Sequence, residues 1–268
     1  MGGTIEIIKN ICHILFFIVT GIIAILTFIQ AKKTVLQPIK TEIFKEQIKE
    51  LSKILEIFNG KGEYELRKDL DFGNILNINV HKMFDDFATL FYDVEIDRDK
   101  RPYAECIGAI VTKEKIGKYV TIADDHLMDE TAASKETVSS KPDSKAVHAI
   151  WSKYELPMIS ITAEHDECVK KIGAFKKNPL IPKPLLNLLI EYEVKISENI
   201  KLIDKIIDEC AQEMPQKYPN LEKLKNSRSD WIQNKYNSRF NNLEENAESI
   251  SDYIRDYFKT DELMGKRK

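Results

Sequence analysis

A long apolar run stands near the start of the chain. Residues Ile11 to Ile29 contain no formally charged side chain, and His13 lies at the edge of the run. As a helix the run measures roughly 28 Å, which is close to the ~30 Å hydrocarbon core of a bilayer. A helix packed in a soluble core would more often show a polar face, and none interrupts this run. The pattern predicts a transmembrane helix within residues 1–33.

A cleaved signal peptide is the alternative for this run. Its apolar core would be about 7–15 residues long, and a small-x-small cleavage site would follow. The run is longer than that, and the candidate site ending at Ala31 has Ile29 two positions earlier. The sequence therefore favours an uncleaved anchor, with the lipid bilayer as its partner.

Lysines flank the apolar run unequally. Lys32, Lys33 and Lys40 follow it closely, whereas Lys9 alone precedes it. The cytoplasmic flanks of membrane helices carry an excess of lysine and arginine, so the C-terminal bulk is expected in the cytoplasm. The predicted location is the cell (inner) membrane, with a single pass.

Small residues recur on one face of the predicted anchor. Thr20, Ala24, Thr27 and Ala31 are spaced by four, three and four positions. Small side chains on one stripe let two helix backbones approach closely in lipid. The stripe is a candidate interaction surface for a homo-oligomer. Chance is the alternative, because small residues are common in membrane helices.

Apolar positions spaced by three and four predict helices through most of the remaining chain. An amphipathic segment over residues 34–58 ends at Asn59-Gly60, and Pro38 either opens a new helix or marks a break or kink just below the membrane. Pro215 and Pro219 are expected to close the long helix that begins at Leu185. The later helices are predicted over Asp71–Tyr92, Ala146–Tyr154, Thr162–Phe175 and Leu185–Met214, and a final helix or helix pair over Leu221–Met264.

The middle of the chain has a different character. Residues 105–112 and 118–123 are short and rich in β-branched side chains, and Lys113–Gly117 would join them as a hairpin. Residues Asp124–Lys145 are polar and are predicted to form an exposed loop.

The predicted fold class is mostly α, with one N-terminal transmembrane helix, a helical cytoplasmic domain and a small β-hairpin. The prolines of residues 178–184 mark the best domain boundary. The predicted domains are an anchor over 1–33, a helical domain over 34–178 and a C-terminal helical hairpin over 179–268.

Composition narrows the function classes only slightly. The formal net charge is −3 over 268 residues, so bulk electrostatics do not argue for nucleic acid, which is not expected as a partner. The four cysteines form no CxxC pair, which removes zinc-knuckle and thioredoxin-type motifs. The sequence has no GxSxG motif, P-loop or dinucleotide fingerprint, and no cofactor is expected.

The densest polar cluster contains Asp124, Asp125 and His126. Carboxylates and an imidazole can hold a divalent metal that activates water, and His165 could complete such a site if the two segments met. A solvated loop is the alternative, because the side chains of adjacent residues mostly point apart. The acidic residues beside His165 also suit the first turn of a helix.

The sequence favours a membrane-tethered, non-enzymatic interaction or effector protein at the cytoplasmic face, binding an unidentified cytoplasmic protein or a second copy. The alternative is a membrane-bound, metal-dependent hydrolase that uses Asp124, Asp125, His126 and His165.

Overall fold

The computed structural model describes residues 2–119 and 144–258. The chain forms two compact units. The first comprises Met1–Ile57 with Pro179–Ile181, and the second comprises Phe58–Asn178 with Pro182–Lys268. The predicted domain bounds after residues 33 and 178 stay predictions.

One helix, α1, forms nearly all of the first unit. It runs without interruption over Gly2–Phe58 with Pro38 in its interior, so the predicted break or new start at Pro38 is wrong, and the alternative of a kink stays a prediction. A proline costs an interior helix one backbone hydrogen bond, a loss that the long helix accommodates. Among residues 2–119 and 144–258, α1 is the one helix long and apolar enough to cross a membrane. None of the residues in its most apolar window is buried.

The second unit is mostly helical. Two 3-10 turns, Arg98–Lys100 and Pro102–Glu105, and two short strands interrupt the helices. Its described helices are α2 Glu63–Asp69, α3 Phe72–Tyr92, α4 Lys113–Tyr119, α5 Ser144–Trp151, α6 Ala163–Lys176, α7 Lys183–Lys217, α8 Leu221–Lys225, α9 Asp230–Asn237 and α10 Glu244–Phe258.

The long helix α7 forms the centre of this unit. It packs against α3, α5, α6, α9 and α10. Its buried apolar residues include Leu189, Ile196, Ile200, Ile203 and Ile207, whose spacing of seven, four, three and four keeps them on one face. This confirms the predicted helix. The helix passes through Pro215 and ends at Lys217, slightly beyond the predicted end.

The strand partner differs from the prediction. Strand β1, Gly108–Ile110, pairs antiparallel with β2, Ile159–Ile161, so that Ala109 faces Ser160. Residues 113–119, expected to supply the turn and the start of the second strand, form α4 instead, and residues 120–123 lie outside the described residues. The hairpin prediction is wrong because β-branched composition identifies a strand but not its partner.

Two buried asparagines connect helices α3 and α7 to backbone outside the helices. Asn79 on α3 donates to Ser160 O at 2.9 Å and accepts from Ser160 N at 2.8 Å, which holds β2 against α3. Asn199 on α7 makes the same pair of bonds with the backbone of Asn241, at 3.0 and 2.9 Å. Both asparagines are 0% exposed, so each amide satisfies backbone groups that water does not reach.

The other helix predictions are confirmed in existence and adjusted in extent. Helix α3 begins at Phe72, one residue after the predicted start. Helix α6 begins after Thr162, whose hydroxyl accepts from the backbone N–H of His165 as an N-cap. The region predicted as Leu221–Met264 is three shorter helices, α8, α9 and α10, up to residue 258.

Candidate functional site

A groove of about 680 Å³ is the best candidate site in the second unit. Three segments that are distant in sequence line it: the end of β1 with the following residues, one face of α6 and one face of α7. Its apolar wall consists of Ile110, Val111, Val169, Ile196 and Ile200. Concave, largely apolar surfaces with a few polar groups are typical of small-molecule sites.

Three lysines and one glutamate line the groove, which leaves a local excess of two positive charges. Lys176 of α6 is paired with Glu193 of α7. Lys113 and Lys201 are exposed, and neither has an ion-pair partner in the described part of the chain. The unpaired charge of the groove therefore belongs to these two ammonium groups.

His165 contributes a neutral ring to the groove. It is only 4% exposed, and its Nδ1 lies 2.8 Å from the carbonyl oxygen of Leu70. A carbonyl oxygen can only accept, so Nδ1 carries the hydrogen. Burial lowers the pKa of His165, and the contact with Leu70 opposes that shift only in part. The ring is expected to be uncharged at neutral pH.

Gly173 keeps the α6 side of the groove open. A Cβ added at this position would first meet Glu193 Oε1 at 3.6 Å, an ordinary van der Waals distance. A side chain larger than methyl would therefore enter the groove. This glycine, like Val169, was not singled out from the sequence. The available signal was a glycine inside an amphipathic helix, which often marks a packing or functional constraint.

A second polar cluster joins α3 to the sheet. Lys82 Nζ donates to Ser160 Oγ at 2.8 Å, and burial lowers the pKa of Lys82. An amine of lowered pKa beside a hydroxyl is one way to activate a serine nucleophile. Ser160 is only 4% exposed, however, and it lies in the middle of the β1–β2 pairing, which leaves a substrate little access. The contact is best explained as structural.

The described cysteines are not activated as nucleophiles. Cys106, Cys168 and Cys210 are free. Burial raises the pKa of each thiol, and the pKa of Cys210 reaches about 12. Because the thiolate is the reactive form, these environments disfavour nucleophilic attack.

A third cluster is buried between α4 and α7. Lys115 donates to Asp204 Oδ1 at 2.9 Å, to Asp208 Oδ2 at 2.6 Å and to the carbonyl oxygen of Leu156 at 2.9 Å. Asp208 also accepts from the backbone N–H of Leu156 at 2.8 Å. Every strong donor and acceptor of the cluster has an internal partner, so it fixes α4 in place and offers no open position to a ligand.

Three of the four residues predicted as metal ligands cannot be placed, so the metal site of the sequence analysis stays a prediction. Asp124, Asp125 and His126 lie outside the described residues. His165 is described, and its Nδ1 is occupied by Leu70. Within residues 2–119 and 144–258, no group of three or more His, Cys, Asp or Glu side chains could hold a metal ion.

The predicted interaction stripe lies on the exposed surface of α1. Thr20 Oγ1 donates to Phe16 O at 2.7 Å, and Thr27 Oγ1 donates to Ile23 O at 2.8 Å. Both hydroxyl hydrogens are therefore used within the helix. Ala24 and Ala31 are exposed, so the stripe is a small, mainly apolar surface along the helix.

Comparisons of the chain with protein-family models, with curated proteins and with solved structures found no match. The chemistry of the groove and of α1 is therefore inferred from their own residues.

Proposed function

We propose that this chain is a membrane-tethered, non-enzymatic interaction or effector protein whose second unit acts at the cytoplasmic face. The observation that carries the proposal is the bare apolar surface of α1. From Ile11 to Ile29 its large apolar side chains are about half exposed or more, and none is covered by protein. A contiguous apolar surface of this size is costly in water and suits a lipid environment.

The side chains of the second unit support binding better than catalysis. The two clusters that contain catalytic residue types, around Lys82 and around Lys115, are engaged in internal hydrogen bonds. The groove, in contrast, is lined by aliphatic side chains and by two lysines that have no ion-pair partner among the described residues. This arrangement suits the binding of a ligand or partner without a chemical reaction.

Self-association through α1 is part of the proposal. Thr20, Thr27, Thr34 and Thr41 recur every seven residues, and each hydroxyl donates to the carbonyl oxygen four residues earlier. A seven-residue repeat keeps one seam of a helix facing a partner in a left-handed pair. Ala24 and Ala31 lie between these threonines and keep the seam narrow enough for close approach.

The sidedness of the protein tests the proposal. A green fluorescent protein fused after Lys268 should fluoresce in the membrane fraction, and an alkaline phosphatase fused at the same position should be inactive. This follows from the lysines Lys32, Lys33 and Lys40 on the C-terminal side of the span. An active phosphatase fusion, or a mature N-terminus near Lys32, would contradict the cytoplasmic tether.

A further inference from the structure

We propose that the groove between α6, α7 and the end of β1 binds a free medium-chain fatty acid in its carboxylate form. The alkyl chain lies along Val169, Ile196 and Ile200, and the carboxylate is held by Lys113 and Lys201. The inference concerns the second unit alone and does not rest on the membrane tether.

The apolar half of the ligand follows from the wall of the groove. Ile196 and Ile200 are buried on α7, and Val169 faces them from α6 in the lining of the same groove. Aliphatic side chains without aromatic rings suit a flexible alkyl chain, since contact with it requires no stacking geometry. The volume of about 680 Å³ lies within the range of sites that take small organic ligands.

The charged half follows from the lysines. Lys176 is neutralised by Glu193, so Lys113 and Lys201 retain charge for an incoming anion. A carboxylate accepts charge-assisted hydrogen bonds from ammonium groups, and these are stronger than bonds between neutral groups. His165 adds no positive charge, because burial lowers its pKa and Nδ1 faces the carbonyl of Leu70. The groove therefore offers two ammonium donors, one for each oxygen of a carboxylate on an apolar body.

The probe for this site is octanoate, titrated by calorimetry into the full-length chain in phosphatidylcholine nanodiscs, with empty nanodiscs as the blank. Saturable binding to one site per chain is expected. Octan-1-ol should bind about tenfold more weakly, because it offers the same chain without the carboxylate. Equal affinity for the alcohol and the acid, or no binding of octanoate above the blank, would overturn the proposal.

Charge variants locate the carboxylate. The double substitution Lys113→Ala and Lys201→Ala should weaken octanoate binding about tenfold, because both ammonium partners are removed. Lys205→Ala is the matched control, since Lys205 is exposed on α7 outside the groove lining. Equal affinities in the double variant and the control would remove the lysines from the site.

A steric variant locates the alkyl chain. Gly173→Leu projects a side chain into the groove and should abolish octanoate binding. Gly73→Leu makes the same change on α3, where an added Cβ meets no atom within 4 Å, and should bind like the parent. Circular dichroism establishes that each variant keeps its helices. Undiminished binding in a folded Gly173→Leu variant would contradict the proposal, and the lysine variants test it independently of this substitution.

Discussion

Lys115 illustrates how one residue can hold an element that has little apolar surface of its own. Burial acts to lower the pKa of Lys115, but the hydrogen bonds that its ammonium donates to Asp208 and Asp204 outweigh burial and raise the pKa. The ammonium therefore stays charged with only 10% of its side chain exposed. Lys118, three residues later, pairs with Glu155 but keeps 55% of its side chain exposed. The two ion pairs share a short helix and differ in burial.

Substitution of these two lysines should have very different effects on stability. Lys115→Met leaves the buried Asp204 and the half-buried Asp208 without their cation, which should lower the free energy of unfolding by about 3–5 kcal/mol. Lys118→Met removes an exposed pair and should cost no more than about 1 kcal/mol. Urea unfolding of the full chain in detergent, followed by the fluorescence of Trp151 and Trp231, measures both. Similar losses in the two variants would show that burial of the pair is unimportant.

His165 makes stability depend on pH. Burial lowers its pKa from the ordinary value of 6.5, although Leu70, Asp71 and Asp166 oppose the shift. The unfolded chain therefore binds a proton at a higher pH than the folded chain does. The contribution of His165 is constant above about pH 6.5, and the folded state loses stability as pH falls below that value, by at most about 1.4 kcal/mol per pH unit.

The substitution His165→Asn isolates this effect. Asparagine keeps an N–H donor for the carbonyl of Leu70 but does not titrate. Between pH 7.5 and pH 5.5, the free energy of unfolding of the parent should fall by about 1 kcal/mol more than that of the variant. The carboxylates titrate alike in both proteins, so the difference between the two changes in the free energy of unfolding reports His165. Parallel pH profiles would mean that the pKa of His165 is the same in the folded and unfolded chains, which would contradict the effect of burial.

At the scale of elements, long periodic helices were predictable and short pieces were not. The spacing of apolar residues located α3 and α7 almost to their ends, because each buries one face. Helix α6 was located by Thr162, which caps its start. The strand β2 is three residues long, which is too short to show the alternation of apolar and polar residues that predicts a strand. It pairs with β1, about 50 residues earlier in the chain. Pairing at such separation depends on tertiary contacts such as those of Asn79, which no local pattern encodes.

The stripe on α1 gives a prediction for association between copies. Ala24→Leu would push two helix backbones apart and should lower the crosslinking yield in membranes, because close contact is the main source of attraction between helices in lipid. Ile23→Leu changes a neighbouring position on a different face at nearly constant volume and is the matched control. The two variants are compared with the parent at equal expression. Equal yields in all three would remove the stripe from the association surface.

At the scale of the whole molecule, the candidate groove was the least predictable feature. The apolar face of α7, including Ile196 and Ile200, followed from its period, but its partners did not. The groove forms only when residues near 110, 169 and 196 come together. No pattern in the sequence between these segments predicts that they meet. Lys113 and Lys201 resemble the many other exposed lysines of this sequence until the fold places both in the lining of one groove.

The attachment of α1 to a membrane is the central claim, and two pairs of isoleucines test it. Ile18 and Ile22 lie within the apolar run and are each 53% exposed, whereas Ile39 and Ile43 lie beyond it on the same helix and are 54% and 52% exposed. Lysine near the centre of a membrane helix costs about 2.5–3.5 kcal/mol, and outside the hydrocarbon core it costs far less. Replacing both isoleucines of a pair by lysine should therefore disfavour membrane insertion for Ile18 and Ile22, and should affect it far less for Ile39 and Ile43.

The most direct measurement is the fraction of full-length chain that remains in membranes after an alkaline carbonate wash. The parent and the variant with Ile39→Lys and Ile43→Lys should stay in the membrane pellet. The variant with Ile18→Lys and Ile22→Lys should move largely to the supernatant, because its span no longer favours the hydrocarbon core. Release of the parent by the wash, or equal retention of the two variants, would contradict the account of α1 as a membrane tether.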